Sequence, residues 1–109
     1  MRDERLRLAD MRAALAAIER YTSQGEARFL EQELVQIWTV HHLLLLGEAA
    51  RALSSEFRER HPAVPWAQVI GLRNILIHQY FNVDPREIWA IVERDLPALR
   101  TVLDSIGRA

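Results

Sequence analysis

The sequence predicts an all-α protein, an up-and-down bundle of four to five helices. Apolar residues recur at intervals of three and four along nearly the whole chain, which is the stripe of an amphipathic helix. The period-two alternation of a half-buried strand appears nowhere, and no internal repeat or low-complexity tract interrupts the pattern. With 109 residues, half of them hydrophobic, the chain can bury one core and is too short for two, so a single domain over residues 1–109 is expected.

The first helix is expected over about 3–22, where Leu8, Met11, Leu15, Ile18 and Tyr21 form one stripe. Ser23-Gln24-Gly25 supplies a turn. Phe29, Leu30, Leu34, Ile37, His41, Leu44 and Glu48 then keep helical spacing with no proline among them, so one long second helix is expected over about 27–53. Ser54 is placed to cap a short helix that runs to Arg60. His61-Pro62-Ala63-Val64-Pro65 must be irregular, because each proline disfavours helix at the residue before it. Pro65 suits the first turn of the next helix, whose buried surface comes from Val69, Ile70, Leu72, Leu76 and Ile77. Asp84-Pro85-Arg86-Glu87 reads as an N-cap, a proline at the first helical position and a capping acid. The last helix follows over about 85–106, with Ile88, Ile91, Val92, Leu96, Leu99, Val102 and Leu103 inward. A kink or break is expected near Pro97, and Gly107 is the expected stop.

Composition narrows the class. The absence of cysteine removes disulfides and thiolate metal sites, and a cytoplasmic location fits best. Residues 1–7 mix both signs of charge without the apolar stretch of a signal peptide, and Leu43 to Leu46 is too short to span a bilayer, so no membrane role is expected. That leucine run exceeds what one helix face needs and is expected to meet a partner. The net charge of −1 gives no overall pull toward nucleic acid, but between Phe57 and Asn82 the one acid is Glu59, against Arg58, Arg60 and Arg73. All fourteen basic residues are arginines, whose planar fork suits phosphate.

The locally basic stretch holds the chemistry. Arg73, His78 and Tyr80 sit at the end of an apolar helix that needs none of them for packing. RNA carries its own nucleophile in the ribose 2′-OH. Its cleavage needs a general acid or base near neutral pH and a cation for the charge on the phosphoryl oxygens, and His78 and Arg73 are the residue types for those roles. No metal or cofactor is required. Asn74, four residues before His78 and on its face, is placed to orient the imidazole or the phosphate. On a regular helix Arg73 and His78 lie about 140° apart, whereas Arg73 and Tyr80 are nearly aligned. Either the helix frays before His78, or two copies meet in a homodimer and line one cleft. Glu48 is either a polar-face residue or a partner that holds Arg73.

Arg73, His78 and Tyr80 together match Arg-x4-His-x-Tyr, which resembles the motif of the HepT toxins of the HEPN superfamily. The resemblance continues through Gly47-Glu48-Ala49-Ala50, His61-Pro62, Pro65-Trp66, Arg73-Asn74, Phe81, Trp89 and Asp95-Leu96-Pro97. It implies a HEPN-like bundle and a ribonuclease whose cleft forms between protomers. It also implies a separately encoded antitoxin, a minimal nucleotidyltransferase that uses ATP and magnesium to transfer AMP onto Tyr80. Charge and bulk there would occupy Arg73 and exclude RNA phosphate. The chain lacks the Gly-Ser motif and paired aspartates of a nucleotidyltransferase, so it would be the substrate of that transfer.

Plainer roles exist for each residue. Arg73 can pair with Glu48, His78 can be a satisfied helix-end histidine, and Tyr80 a core aromatic with its hydroxyl at the surface. His41 and His42 point about 100° apart on a helix and cannot chelate one ion together, and Trp66 and Trp89 read as core or interface anchors. A second class of function therefore also fits: a non-catalytic helical module that holds a nucleotide or a partner in the same basic cleft.

Overall fold

The computed structural model describes residues 3–78 and 84–108. Helices α1 (Glu4–Thr22), α2 (Glu26–Glu31), α3 (Glu33–Ala52), α4 (Ser55–Arg60), α5 (Trp66–His78), α6 (Pro85–Ala90) and α7 (Leu96–Arg108) follow in order, with a π-helical turn, Ile91–Asp95, between the last two. Among the described residues there is no strand. The architecture is an all-α bundle built on α3, which packs against α1 on one side and α5 on the other. α7 returns to α1, where the Arg12 guanidinium donates to the Leu103 carbonyl at 3.1 Å and Arg100 clasps Glu19 through two nitrogens. The Glu19 carboxylate, and behind it Asp104, hold the Arg100 guanidinium above its ordinary pKa.

The core forms where the stripes meet. Met11, Leu15 and Ile18 of α1, Leu43, Leu46 and Ala50 of α3, Leu76 of α5 and Leu103 of α7 are shielded from water, together with Phe29 of α2. Each large side chain removed from water contributes roughly 1.5–3 kcal/mol. The expected stripe of α1 holds as far as Ile18. Tyr21 is exposed, and Thr22 turns inward in its place with its hydroxyl donating to the Ile18 carbonyl.

The long second helix expected over about 27–53 is two helices. Gln32 adopts an extended backbone (φ −117°, ψ 92°) that ends α2 and starts α3. The Gln36 side-chain amide donates to the carbonyls of Phe29 and Leu30 at 3.0 and 3.2 Å, the first of which also accepts from the Gln32 N–H at 3.3 Å. Gly25 makes the turn into α2 at φ 98°, a conformation that a side chain disfavours. After the break Leu34, Ile37, His41 and Glu48 lie on the outer face of α3, while Thr39, Val40, Leu43, Leu46 and Gly47 face inward. Leu34 is 80% exposed. The leucine run divides likewise: Leu43 and Leu46 are core, Leu44 packs on its edge, and Leu45 alone is exposed. The surplus apolar surface expected of the run is therefore mostly spent inside the fold.

The caps at the other junctions agree with the sequence. Ser54 accepts from the Phe57 N–H at 3.0 Å to start α4, and its own N–H donates to the Glu4 carboxylate of α1 at 2.8 Å. Ser54→Ala removes the first of these bonds. The expected cost is about 1 kcal/mol, read as a fall of roughly 4–8 °C in the thermal unfolding midpoint followed by circular dichroism. Asp84 caps α6 by accepting from the Arg86 N–H, and Pro85 takes the first helical position. The break expected near Pro97 is a π turn placed just before it, in which the Leu96 N–H reaches back five residues to the Ile91 carbonyl. The helix thereby continues past a proline that cannot donate to the Glu93 carbonyl. It also runs through Gly107 to Arg108, so Gly107 is not its stop.

Candidate active site

α5 is apolar on more than one face, and its start is pinned from outside. The Trp66 indole N–H donates to the His61 carbonyl at 2.9 Å, and its ring meets Phe57 edge-on at 6.4 Å. Pro65 stands immediately before the helix, its carbonyl accepting the first helical bond from the Val69 N–H. From Trp66 the residues Val69, Arg73 and Leu76 recur at three and four positions on the side turned to α3, and Val69 and Leu76 are buried there.

Gly47 lets the two helices approach. A Cβ at that position would stand 3.1 Å from the Val69 carbonyl oxygen and 3.3 Å from Cβ of Arg73. The next residue of α3 is Glu48, and its carboxylate forms an ion pair with Nε of Arg73. The same carboxylate oxygen lies 3.8 Å from Nη1 of Arg51 one turn on. Glu48 thus fills both roles open to it in the sequence, an exposed residue of the polar face and a partner of Arg73. The Arg73 side chain remains 31% exposed, so the guanidinium is held in place and is still within reach of a ligand.

Asn74 is exposed on the adjacent face of α5. His78 is the last residue of the helix, and the backbone is regular α-helix up to it. Fraying before His78, one of the two ways of bringing it to Arg73, is therefore ruled out. On a regular helix a separation of five residues corresponds to a turn of about 140°. The side chain of His78 and all of Tyr80 lie outside the described residues.

Of the other residues singled out, Trp89 packs on Phe29 at 5.4 Å and donates to Glu93, an anchoring role like that of Trp66. His41 and His42 meet edge-on at 5.0 Å, and the Nδ1 of His42 lies 2.8 Å from the Trp38 carbonyl. Among the described residues no three metal-ligating side chains come together, and no helix is long and apolar enough to cross a membrane. Sequence reasoning missed the neighbourhood of Arg7, Asp10 and His42, which line a groove of about 550 Å³ that reaches Glu48. No spacing signal links α1 to α3 across that distance in sequence.

A helical bundle with a partly exposed arginine, five residues before a histidine in the sequence, is the arrangement expected of a small helical ribonuclease, and comparison with known proteins gives that class. The model of the HepT-like ribonuclease family matches residues 11–106, and the chain belongs to that family. Relatives agree with it. A protein named as an RNase in Methanocaldococcus jannaschii is 37% identical over 78 residues, 72% of each chain. One named as a ribonuclease HepT in Thermococcus cleftensis is 33% identical over 102 residues, 93% of each chain. One named as an RNase in Caldanaerobacter subterraneus subsp. tengcongensis is 36% identical over 89 residues, 82% of this chain and 80% of its own. No solved structure matches.

Proposed function

We propose that this chain is the toxin of a toxin–antitoxin pair, a metal-independent endoribonuclease that works as a homodimer. His78 acts as general acid or base and Arg73 holds the phosphate. The single observation that carries the reading is the unbroken helix through His78, beside an Arg73 already fixed against Glu48. Groups about 140° apart on one helix reach one phosphate only if the second copy supplies one of them. The outer face of α3 supports a second copy, since Leu34 and Ile37 stand exposed on it.

In the reaction the ribose 2′-OH attacks the adjacent phosphorus as a base removes its proton. The bond to the 5′-oxygen breaks, that oxygen takes a proton from an acid, and a 2′,3′-cyclic phosphate and a free 5′-OH remain. Negative charge on the non-bridging oxygens is met by the Arg73 fork. Asn74, four residues before His78 on a regular helix, supports the orientation of the imidazole or the phosphate. The cognate nucleotidyltransferase antitoxin would silence the site when the Tyr80 phenolic oxygen displaces pyrophosphate from ATP and keeps AMP. The ATP and magnesium of that step belong to the antitoxin.

The Glu48–Arg73 ion pair favours one other reading, a non-catalytic module in which Arg73 is structural. The experiment that separates them incubates AMP-free protein, verified by mass, with total RNA in EDTA, wild type beside His78→Ala. Fragments with cyclic phosphate ends from wild type alone are the expected result. Intact RNA with the wild type would transfer the assignment to the binding module.

A further inference from the structure

Beside Arg73 the structure holds a groove that the cleavage chemistry does not use, and we infer that it is the subsite for a nucleobase of the RNA, next to the phosphate that Arg73 holds. The inference rests on the ribonuclease reading and names how its substrate is gripped.

The groove runs between α1 and α3, open on one side, with a volume of about 550 Å³, within the roughly 300–1,000 Å³ of small-molecule sites. Its floor is made of alanines from both helices, Ala13 and Ala14 on α1 and Ala49 and Ala52 on α3. Side chains this short leave a smooth apolar slot of the kind a planar ring fills. One wall is His42, and its ring is fixed. A carbonyl oxygen accepts only, so His42 Nδ1 donates to the Trp38 carbonyl, and the ring lies against Trp38 at 4.3 Å. Trp38 is fixed in turn by its indole N–H, which donates to the Ala17 carbonyl of α1 at 2.7 Å. A rigid aromatic wall is a stacking surface that costs little ordering when a base arrives. Leu45, exposed in the free chain, adds apolar area to the same wall.

Charge decides which part of a nucleotide enters. Arg7 contributes donors, and Asp10 and Glu48 contribute carboxylates. A phosphate offers acceptors alone and shares no proton with a carboxylate, whereas donors and acceptors around an apolar slot match the mixed edge of a base. Glu48 also sets the position. It lines the groove and pairs with Arg73, so a base in the slot and a phosphate at the guanidinium lie on either side of one carboxylate. The backbone stays at Arg73 and one flanking base turns into the groove.

The test measures kcat/KM for wild type, Ala13→Leu and Ala52→Leu on one RNA oligonucleotide and on copies in which each nucleotide beside the cleaved bond is made abasic in turn. Both alanines are exposed on helices, and leucine is a good helix former, so the variants fold; thermal melts verify it. Removal of one flanking base is expected to slow wild type about tenfold, and the leucines to slow it about as much on the intact RNA. On the RNA that lacks that base the leucines should cost nothing more. Unchanged rates on the intact RNA, or a loss that persists undiminished without the base, overturn the subsite. Should wild type cut no RNA, the ribonuclease reading fails separately, and titration with the four 5′-nucleoside monophosphates decides the groove. Amide shifts at Ala13 and Ala52 that vanish in Ala13→Leu sustain it, and their absence overturns it.

Discussion

Arg73→Ala is expected to reduce RNA cleavage by about two to three orders of magnitude, the usual loss when one group that stabilises developing charge is removed. The fold should survive. The Arg73–Glu48 pair is 31% and 49% exposed at its two side chains, and ion pairs in such surroundings contribute about 0–1 kcal/mol to stability. The unfolding midpoint therefore moves little while activity collapses, and a structural arginine would show the reverse pattern. Two further variants sharpen the result. Arg73→Lys keeps the charge and loses the fork, so it recovers only part of the rate. Glu48→Gln keeps the arginine and weakens its tether, so its loss should be far smaller than that of Arg73→Ala. Single-turnover cleavage of a labelled RNA, run beside thermal melts, measures both quantities. Equal losses in Arg73→Ala and Glu48→Gln would mean that the pair, and not the guanidinium, is what the reaction needs.

The second large effect is expected at Gly47. A Cβ there already stands 3.1 Å from a backbone carbonyl oxygen of Val69, and valine adds two methyl groups to a contact between two helix backbones. Gly47→Val should destabilise the protein by about 1–3 kcal/mol through overpacking. It should also cut cleavage, because the displaced segment of α5 carries Arg73. Gly71 on α5 is the control. A Cβ there meets nothing within 4 Å, so Gly71→Ala should stabilise by about 0.4–1 kcal/mol by restricting the unfolded chain. Chemical denaturation with circular dichroism reads both. A Gly47→Val protein as stable as wild type would show that α3 and α5 have room to separate, and that the glycine does not set the position of Arg73.

Local signals in this sequence decide the structure where a single residue type governs the backbone. Ser54 and Asp84 cap helices because their side chains accept N–H bonds that the first turn leaves open. His61 to Pro65 is irregular because prolines restrict it, and Leu8, Met11, Leu15 and Ile18 are buried because their spacing puts them on one face. The break at Gln32 had no such signal. No proline or glycine marks it, and the Gln36 amide reaches the Phe29 and Leu30 carbonyls only after the chain has turned. Because α3 is apolar almost all round, the stripe through Leu34, Ile37 and His41 looked as good as the stripe through Val40, Leu43 and Gly47, and only contact with α1 and α5 chose between them.

The site divides along the same line. Residue identity and spacing determined the helical class, the candidate chemistry of Arg73 and His78, and the angle that keeps them apart on one helix, since helix geometry depends on sequence separation alone. Tertiary structure decided that α5 stays helical to His78, that Glu48 holds Arg73, and that Gly47 allows it. It also decided that alanines of α1 and α3 form the floor of one groove beside that pair. Those facts arise where helices far apart in sequence cross, and the crossing is selected by the packing of whole faces, which no local spacing encodes.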